Sequence, residues 1–250
     1  MKVVIIGSGN AATILGNLIN KKHKVIQVVS RTLANAKILA HKIQCDYAND
    51  VKDIYLDADF YLIAVNDDVL PEISKNLRVG DKIVVHTAGS VSKDILKGVS
   101  DNYGVVYPLQ SLRKEATTNL EIPLLIDGNN SETINVIKDL AKTISSQISI
   151  ANDDERLKLH IAAVVVNNFT NHLYVLAQQF CEKEKVDFQI LIPLIKETAN
   201  RMSFHLPTET QTGPAYRNDT LTIHKHLQLL ENYPELKDIY IKLTDSIMQS

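Results

Sequence analysis

This sequence predicts an α/β fold: a doubly wound, mostly parallel sheet followed by an all-helical C-terminal region. Three observations predict it. The unbroken aliphatic run Val3-Val4-Ile5-Ile6 opens the chain and ends at the turn Gly7-Ser8-Gly9-Asn10-Ala11-Ala12. Strand-like apolar runs then alternate with helical patterns as far as Ile150. From Ala151 onward only helical periodicity continues.

The first run reads as a strand buried on both faces, because a parallel sheet covered by helices leaves it no polar side. Behind the turn, Ile14, Leu15, Leu18 and Ile19 recur at helical spacing. Strand, glycine-rich turn and helix follow in the order that the dinucleotide fingerprint G-x-G-x-x-G/A requires. Gly7 permits the tight turn, Gly9 lets backbone approach a pyrophosphate, and Ala12 is small enough for helix to pack on strand. Ser8, Asn10 and Ala11 complete the loop, where the helix N-terminus offers unpaired N–H groups to phosphate. The plain alternative is a tight turn that holds no ligand.

The second strand spans Lys24 to Val29 and ends in Ser30-Arg31-Thr32. That tip has no carboxylate to accept from a ribose 2′-hydroxyl, and a guanidinium between two hydroxyls suits a 2′-phosphate. The predicted coenzyme is therefore NADP rather than NAD. In the competing reading Ser30 or Thr32 caps the helix through Ala34, Ile38 and Leu39, with Arg31 in water. Both uses share one helix end.

Further strands are expected at 59–65, 82–86 and 105–107, with a helix at 69–77. Two more, at 122–126 and 147–150, flank a helix at 132–144. Ligands of such sheets lie beyond the carboxyl ends of the strands, so the strand tips matter most. Backbone at Ala64, Val65 and Asn66 reads as coenzyme wall, and Asp67 and Asp68 as residues that start a helix. His86-Thr87-Ala88-Gly89-Ser90 falls where a nicotinamide is expected, with Thr87 as a coenzyme contact. His86 is either a proton-transfer group or a strand-end histidine bonded to backbone. Tyr107-Pro108-Leu109-Gln110-Ser111 reads chiefly as a structural turn.

The strand-like runs end near 151, which sets the expected domains: 1–150 for NADP binding and 151–250 for substrate binding and dimerisation. A single long helix is expected from Asp153 to Lys185. Its centre, Ile161 to Val166, is apolar all round and must be buried on every side, here between two subunits of a homodimer. At about 100° per residue His160, Val164, Asn167 and Asn171 share one stripe. Each of those polar groups costs ~1–3 kcal/mol if buried without a partner. They either bond to neighbouring helices or form a polar seam, with His160 as acid–base group and Asn167 or Asn171 orienting a small-molecule substrate. Helices at 188–202, 219–231 and 234–248 complete the region.

Composition excludes several classes. With 45% hydrophobic residues, 22% charged residues and net charge -2, the chain lacks the basic excess that nucleic-acid backbones demand. No apolar run is long enough for a membrane span. Cys45 and Cys181 stand in no metal or redox spacing, so a reduced, cytoplasmic setting is expected. His224 and His226 lack partner ligands for zinc, and no phosphotransferase P-loop occurs.

Six segments carry a resemblance: 7–12, 64–68, 86–90, 107–110, 160–173 with its paired asparagines, and 212–219. On these the chain resembles bacterial oxidoreductases that join a Rossmann-like domain to a helical domain of unknown function, labelled deazaflavin-coenzyme-dependent NADP oxidoreductases. It is similar, more distantly, to 6-phosphogluconate dehydrogenase-like, β-hydroxyacid dehydrogenase and pyrroline-5-carboxylate reductase proteins. The resemblance implies NADP, a helical dimerisation domain, and an interdomain cleft. There a hydride would pass between nicotinamide and a small carbonyl, imine or hydroxy compound. Two positions depart from the relatives. Val164 stands where β-hydroxyacid dehydrogenases have the lysine of K-x-x-N-N, and Asn66 stands where proline is common. The missing lysine keeps a second reading open, a non-catalytic NADP-binding sensor or regulatory protein.

Overall fold

The computed structural model describes residues 1–114 and 121–250. It divides into two compact units, Met1–Asn167 and Asn168–Ser250. The first unit carries strands β1 (Lys2–Ile6), β2 (Lys24–Val29), β3 (Asp46–Ala48), β4 (Phe60–Ile63), β5 (Gly80–His86), β6 (Ser100–Pro108), β7 (Leu124–Gly128) and β8 (Ile148–Ile150). Its helices are α1 (Asn10–Ile19), α2 (Leu33–Ile43), α3 (Leu70–Asn76), α4 (Ser131–Ala141) and α5 (Asp153–Ala163).

The strands form one sheet in the order β3-β2-β1-β4-β5-β6-β7-β8. Every neighbouring pair is parallel except β6 with β7. The period of two along a strand explains the aliphatic runs. Val3 and Ile5 join Val28, Phe60, Leu62 and Val85 in one core, while Val4 and Ile6 join Val29, Tyr61, Ile63 and Val84 in the other. Both faces are covered, so the stretch Val3 to Ile6 of β1 has no room for a polar side chain. Gln27 in β2 is a buried polar side chain, and its amide is satisfied by backbone of Asp53 and Tyr55.

The order reverses direction between β1 and β4, which is the switch point where such sheets open a crevice at their carboxyl ends. Sequence periodicity misses β3, which is too short to show alternation. It also shortens β6, because Ser100, Asp101 and Asn102 look like loop. Ser100 in fact reaches the carbonyls of Gly80 and Lys82 on β5, which secures that end of the strand.

The expected long helix is helical throughout but not uniform. A π-helical turn, Val164–Phe169, separates α5 from α6 (Thr170–Glu184), and Lys185 ends the run in the left-handed conformation. In a π turn the bonds run i to i+5, so a step of 100° per residue fails there. That corrects the common stripe of His160, Val164, Asn167 and Asn171. The compact units divide at Asn167/Asn168. Strands do stop at Ile150, but α5 is tied to the sheet loops by Arg156 and His160.

The second unit holds α6, α7 (Ile192–Arg201), α8 (Thr220–Leu229) and α9 (Pro234–Met248). Asp219 caps α8 by accepting from the Thr222 N–H, and Pro234 sits in the first turn of α9, where a missing N–H costs nothing. His226 Nδ1 meets the Tyr240 hydroxyl at 2.8 Å and His224 pairs with Gln228. Among the described residues, no helix is long and apolar enough to cross a membrane.

Candidate active site

The carboxyl ends of β1, β2 and β4 frame a pocket of about 420 Å³. Gly7, Ser8, Gly9, Ser30, Arg31 and Thr32 line it, with Ala64, Val65 and Asn66 on the β4 side. Gly7 makes the turn with φ of 123° while its N–H donates to the Val29 carbonyl. A Cβ there would stand 2.1 Å from the Ala64 carbonyl oxygen, so only glycine fits. At Gly9 a Cβ would meet nothing within 4 Å, leaving open space beside the helix end. No side chain caps α1 and no acid lies in its first turn. Its free N–H groups and partial positive charge therefore face the opening, a donor set that fits a diphosphate.

The β2 tip fits a further phosphate. Thr32 is the N-cap of α2 but makes no side-chain capping bond, and Ser30 Oγ lies 2.7 Å from Ser8 Oγ instead. The capping alternative for these hydroxyls is thus unused, and Arg31 is exposed at the rim. Asn49, Asp50 and Val51 after β3, and Val69 and Glu72 near α3, line the far side. Sequence reading missed Asn49, Asp50 and Val51 because β3, the strand before them, was itself missed. Four expected coenzyme contacts do not line the pocket. Ala12 is buried against the sheet, as its packing role requires. Asn10 and Ala11 belong to the first turn of α1, where backbone rather than side chain serves an anion. Thr87 is half-buried, with its N–H on the Ile63 carbonyl.

His86 does not have the environment of a proton-transfer group. It is fully buried; its Nδ1 accepts from the Ala88 N–H at 3.1 Å, and its Nε2–H donates to the Ser92 carbonyl at 3.3 Å. Burial first, and the Arg156 guanidinium second, push its pKa down to about 4. Both nitrogens serve the 86–92 loop, the arrangement that the strand-end reading expects. Arg156 itself is 1% exposed, and Nη2 bonds the Val91 carbonyl and Asp153. Asp153 also accepts from the Ser92 hydroxyl and the Lys93 N–H. Burial would raise its pKa, yet these bonds outweigh that and hold it below the usual carboxylate value.

His160 lies one turn beyond Arg156 and is only partly buried. Its Nδ1 is 2.8 Å from the hydroxyl of Tyr107, near the end of β6. Tyr107 is the residue that sequence reading passed over. Its only local signal is an amphipathic side chain at a strand's carboxyl end, and its partner lies 53 positions away. Asn167 and Asn171 are exposed, one in each compact unit.

Two family models match this chain: "NADP oxidoreductase coenzyme F420-dependent" over residues 2–90, and a domain of unknown function, DUF2520, over residues 122–247. A crystal structure of a candidate NADP oxidoreductase from Bacteroides fragilis is 34% identical, with TM-score 0.92, covering 100% of this chain and 98% of that one. The fold is shared with 1-pyrroline-5-carboxylate reductase from Streptococcus pyogenes, at 17% identity, TM-score 0.65 and coverage of 100% and 99%. It is also shared with an imine reductase from Myxococcus stipitatus in complex with NADP+, at 15% identity, TM-score 0.65 and coverage of 100% and 92%. No curated protein matches the chain. A family model spanning half its length and a full-length relative at 34% identity make the chain a member of the DUF2520 family, with an NADP-oxidoreductase-type amino-terminal region.

Proposed function

We propose that this protein is an NADP-dependent oxidoreductase acting on a small carbonyl, imine or hydroxy compound. The observation that carries the reading is the uncapped α1 N-terminus facing an open pocket with Arg31 at its rim. Gly7, Ser8 and Gly9 with the first turn of α1 hold the diphosphate, Ser30, Arg31 and Thr32 the 2′-phosphate, and Ala64, Val65 and Asn66 form the wall beneath the coenzyme. When bound, the coenzyme supplies or takes up a hydride at a substrate carbon. His160 manages the accompanying proton, and Asn167 or Asn171 orients the substrate through its amide.

Calorimetry with NADPH and NADH tests the coenzyme assignment. The expected result is tighter NADPH binding, with Arg31→Asp weakening NADPH about 10- to 100-fold and leaving NADH little changed, as befits loss of a charged hydrogen bond. Equal affinities in the wild type overturn the phosphate site. Tight NADPH binding without turnover on a panel of imines, carbonyls and hydroxy acids favours the sensor reading instead.

The homodimer belongs to the same proposal. Ile161 and Val166 expose large apolar side chains, and exposed apolar surface of that kind marks interaction surfaces. A second copy is the partner that the all-apolar centre of this helical run suits, since two such helices bury each other. Light scattering is expected to give twice the chain mass, and Val166→Asp to give the monomer; a monomeric wild type refutes it. Cys45 and Cys181 are free thiols, which suits a reducing, cytoplasmic compartment.

A further inference from the structure

The ring pair Tyr107–His160 asks for an explanation that coenzyme binding does not give. The Tyr107 hydroxyl lies 2.8 Å from His160 Nδ1, and the rings meet edge to face, 5.8 Å apart at 80°. Both pack on Gly89, where a Cβ would stand 2.8 Å from His160 Nδ1 and 3.0 Å from Tyr107 Cε2. Any side chain at position 89 would drive the pair apart. The loop that carries Gly89 is fastened towards the pocket, because the Ser90 hydroxyl donates to Asp67 at 2.7 Å. Asp67 directly follows Asn66, which lines the pocket. The pair therefore stands one loop from the expected nicotinamide end, at the carboxyl edge of the sheet.

Its surroundings keep the phenol protonated. Burial, then the Asp67 carboxylate, raise the Tyr107 pKa, with Arg156 opposing them. Arg156 is close enough to act on the phenol, with Nε and Nη1 buried and, among the described residues, without hydrogen-bond partners. It is a fixed positive charge that neither ring can neutralise by proton transfer. His160, unlike His86, remains partly exposed, so its ring can exchange protons with water.

We propose that Tyr107 is the proton donor of this reductase and that His160 is the positioning and relay residue behind it. The inference rests on the reductase reading and assigns it a substrate with a C=N or C=O bond. Reduction of that bond requires a hydride at carbon, from the reduced nicotinamide coenzyme, and a proton at nitrogen or oxygen. The Tyr107 O–H bond breaks as the new N–H or O–H bond forms. The phenolate then takes the Nδ1 proton of the His160 imidazolium, leaving a neutral imidazole that solvent reprotonates. Run in reverse, the same atoms remove a proton from an amine or alcohol.

Three variants test the assignment. Tyr107→Phe keeps the ring and removes the hydroxyl, so melting temperature and NADPH affinity are expected to hold while kcat falls about a hundredfold or more, the usual weight of a general acid. His160→Gln retains a hydrogen bond to the phenol but no titrating proton. It is expected to flatten the pH profile of kcat with a smaller loss of rate. Gly89→Ala, which displaces both rings, is expected to resemble Tyr107→Phe. Independently of turnover, nitrogen NMR is expected to show a shifted His160 Nδ1 signal in Tyr107→Phe, because its hydrogen-bond partner is gone. A wild type that reduces imines or carbonyls while Tyr107→Phe keeps its rate overturns this assignment alone. An unmoved His160 Nδ1 signal also overturns it, because the two groups are then uncoupled. A wild type that binds NADPH but reduces nothing overturns the reductase reading and this inference with it.

Discussion

Acidification from pH 7 towards pH 4 is expected to remove about 3 kcal/mol of stability through His86 alone. In the unfolded chain this imidazole takes a proton near its ordinary value of 6.5, whereas in the fold burial and the Arg156 guanidinium hold it at about 4. Between those values the unfolded state binds the proton and the folded state does not. Stability therefore rises with pH through the window and is lost as pH falls through it. At 1.36 kcal/mol per pH unit, the gap between 6.5 and about 4 amounts to about 3 kcal/mol. The full contribution is present above 6.5. The chemical cause is specific: a protonated ring would have to turn an N–H towards the Ala88 N–H and would place a second cation beside Arg156. Urea unfolding at several pH values checks it. His86→Asn, which cannot titrate, should start less stable at pH 7 yet lose about 3 kcal/mol less than the wild type on going to pH 4. Parallel profiles for the two proteins would refute the argument.

The second large effect separates two glycines that the fingerprint treats alike. Gly7→Ala places a Cβ 2.1 Å from the Ala64 carbonyl oxygen at φ of 123°. Backbone strain of about 1–3 kcal/mol and overpacking of about 1–3 kcal/mol then act together. A loss of about 4 kcal/mol in denaturant unfolding is expected, together with loss of NADPH binding. Gly9→Ala meets nothing within 4 Å and keeps φ of -76°, which alanine adopts readily. Its stability is expected to stay within about 0.5 kcal/mol of wild type. Its methyl group nevertheless enters the space reserved for the diphosphate, so NADPH affinity is expected to fall at least about tenfold. If Gly9→Ala binds NADPH as tightly as wild type, the diphosphate does not lie there.

The contrast between His86 and His160 shows where reading the chain alone stops. Both are histidines near the carboxyl edge of the sheet, and nothing within a few residues of either distinguishes a buried loop anchor from a half-exposed ring. In the fold His86 meets the Ser92 carbonyl and lies near Arg156, whereas His160 meets Tyr107. Arg156 makes the same point. It sits in Asp153-Asp154-Glu155-Arg156-Leu157-Lys158, where every charged residue looks like solvated helix surface, yet it alone is buried.

Local pattern determined much on its own. β2 and α9 run from Lys24 to Val29 and from Pro234 to Met248, as periodicity predicts, because apolar spacing and a first-turn proline act within a few residues. The strand–turn–helix at Gly7 and the carboxylate-free tip at Arg31 likewise carry their chemistry in adjacent residues, so the coenzyme was legible. Tertiary structure decided the short strand β3, the π turn that breaks the expected stripe, the division at Asn167/Asn168, and the pairing of Tyr107 with His160. Each of these depends on partners brought together only by folding. A sequence lists donors, acceptors and apolar surface, but which of them meet, and which lose their water, is set by the packed chain.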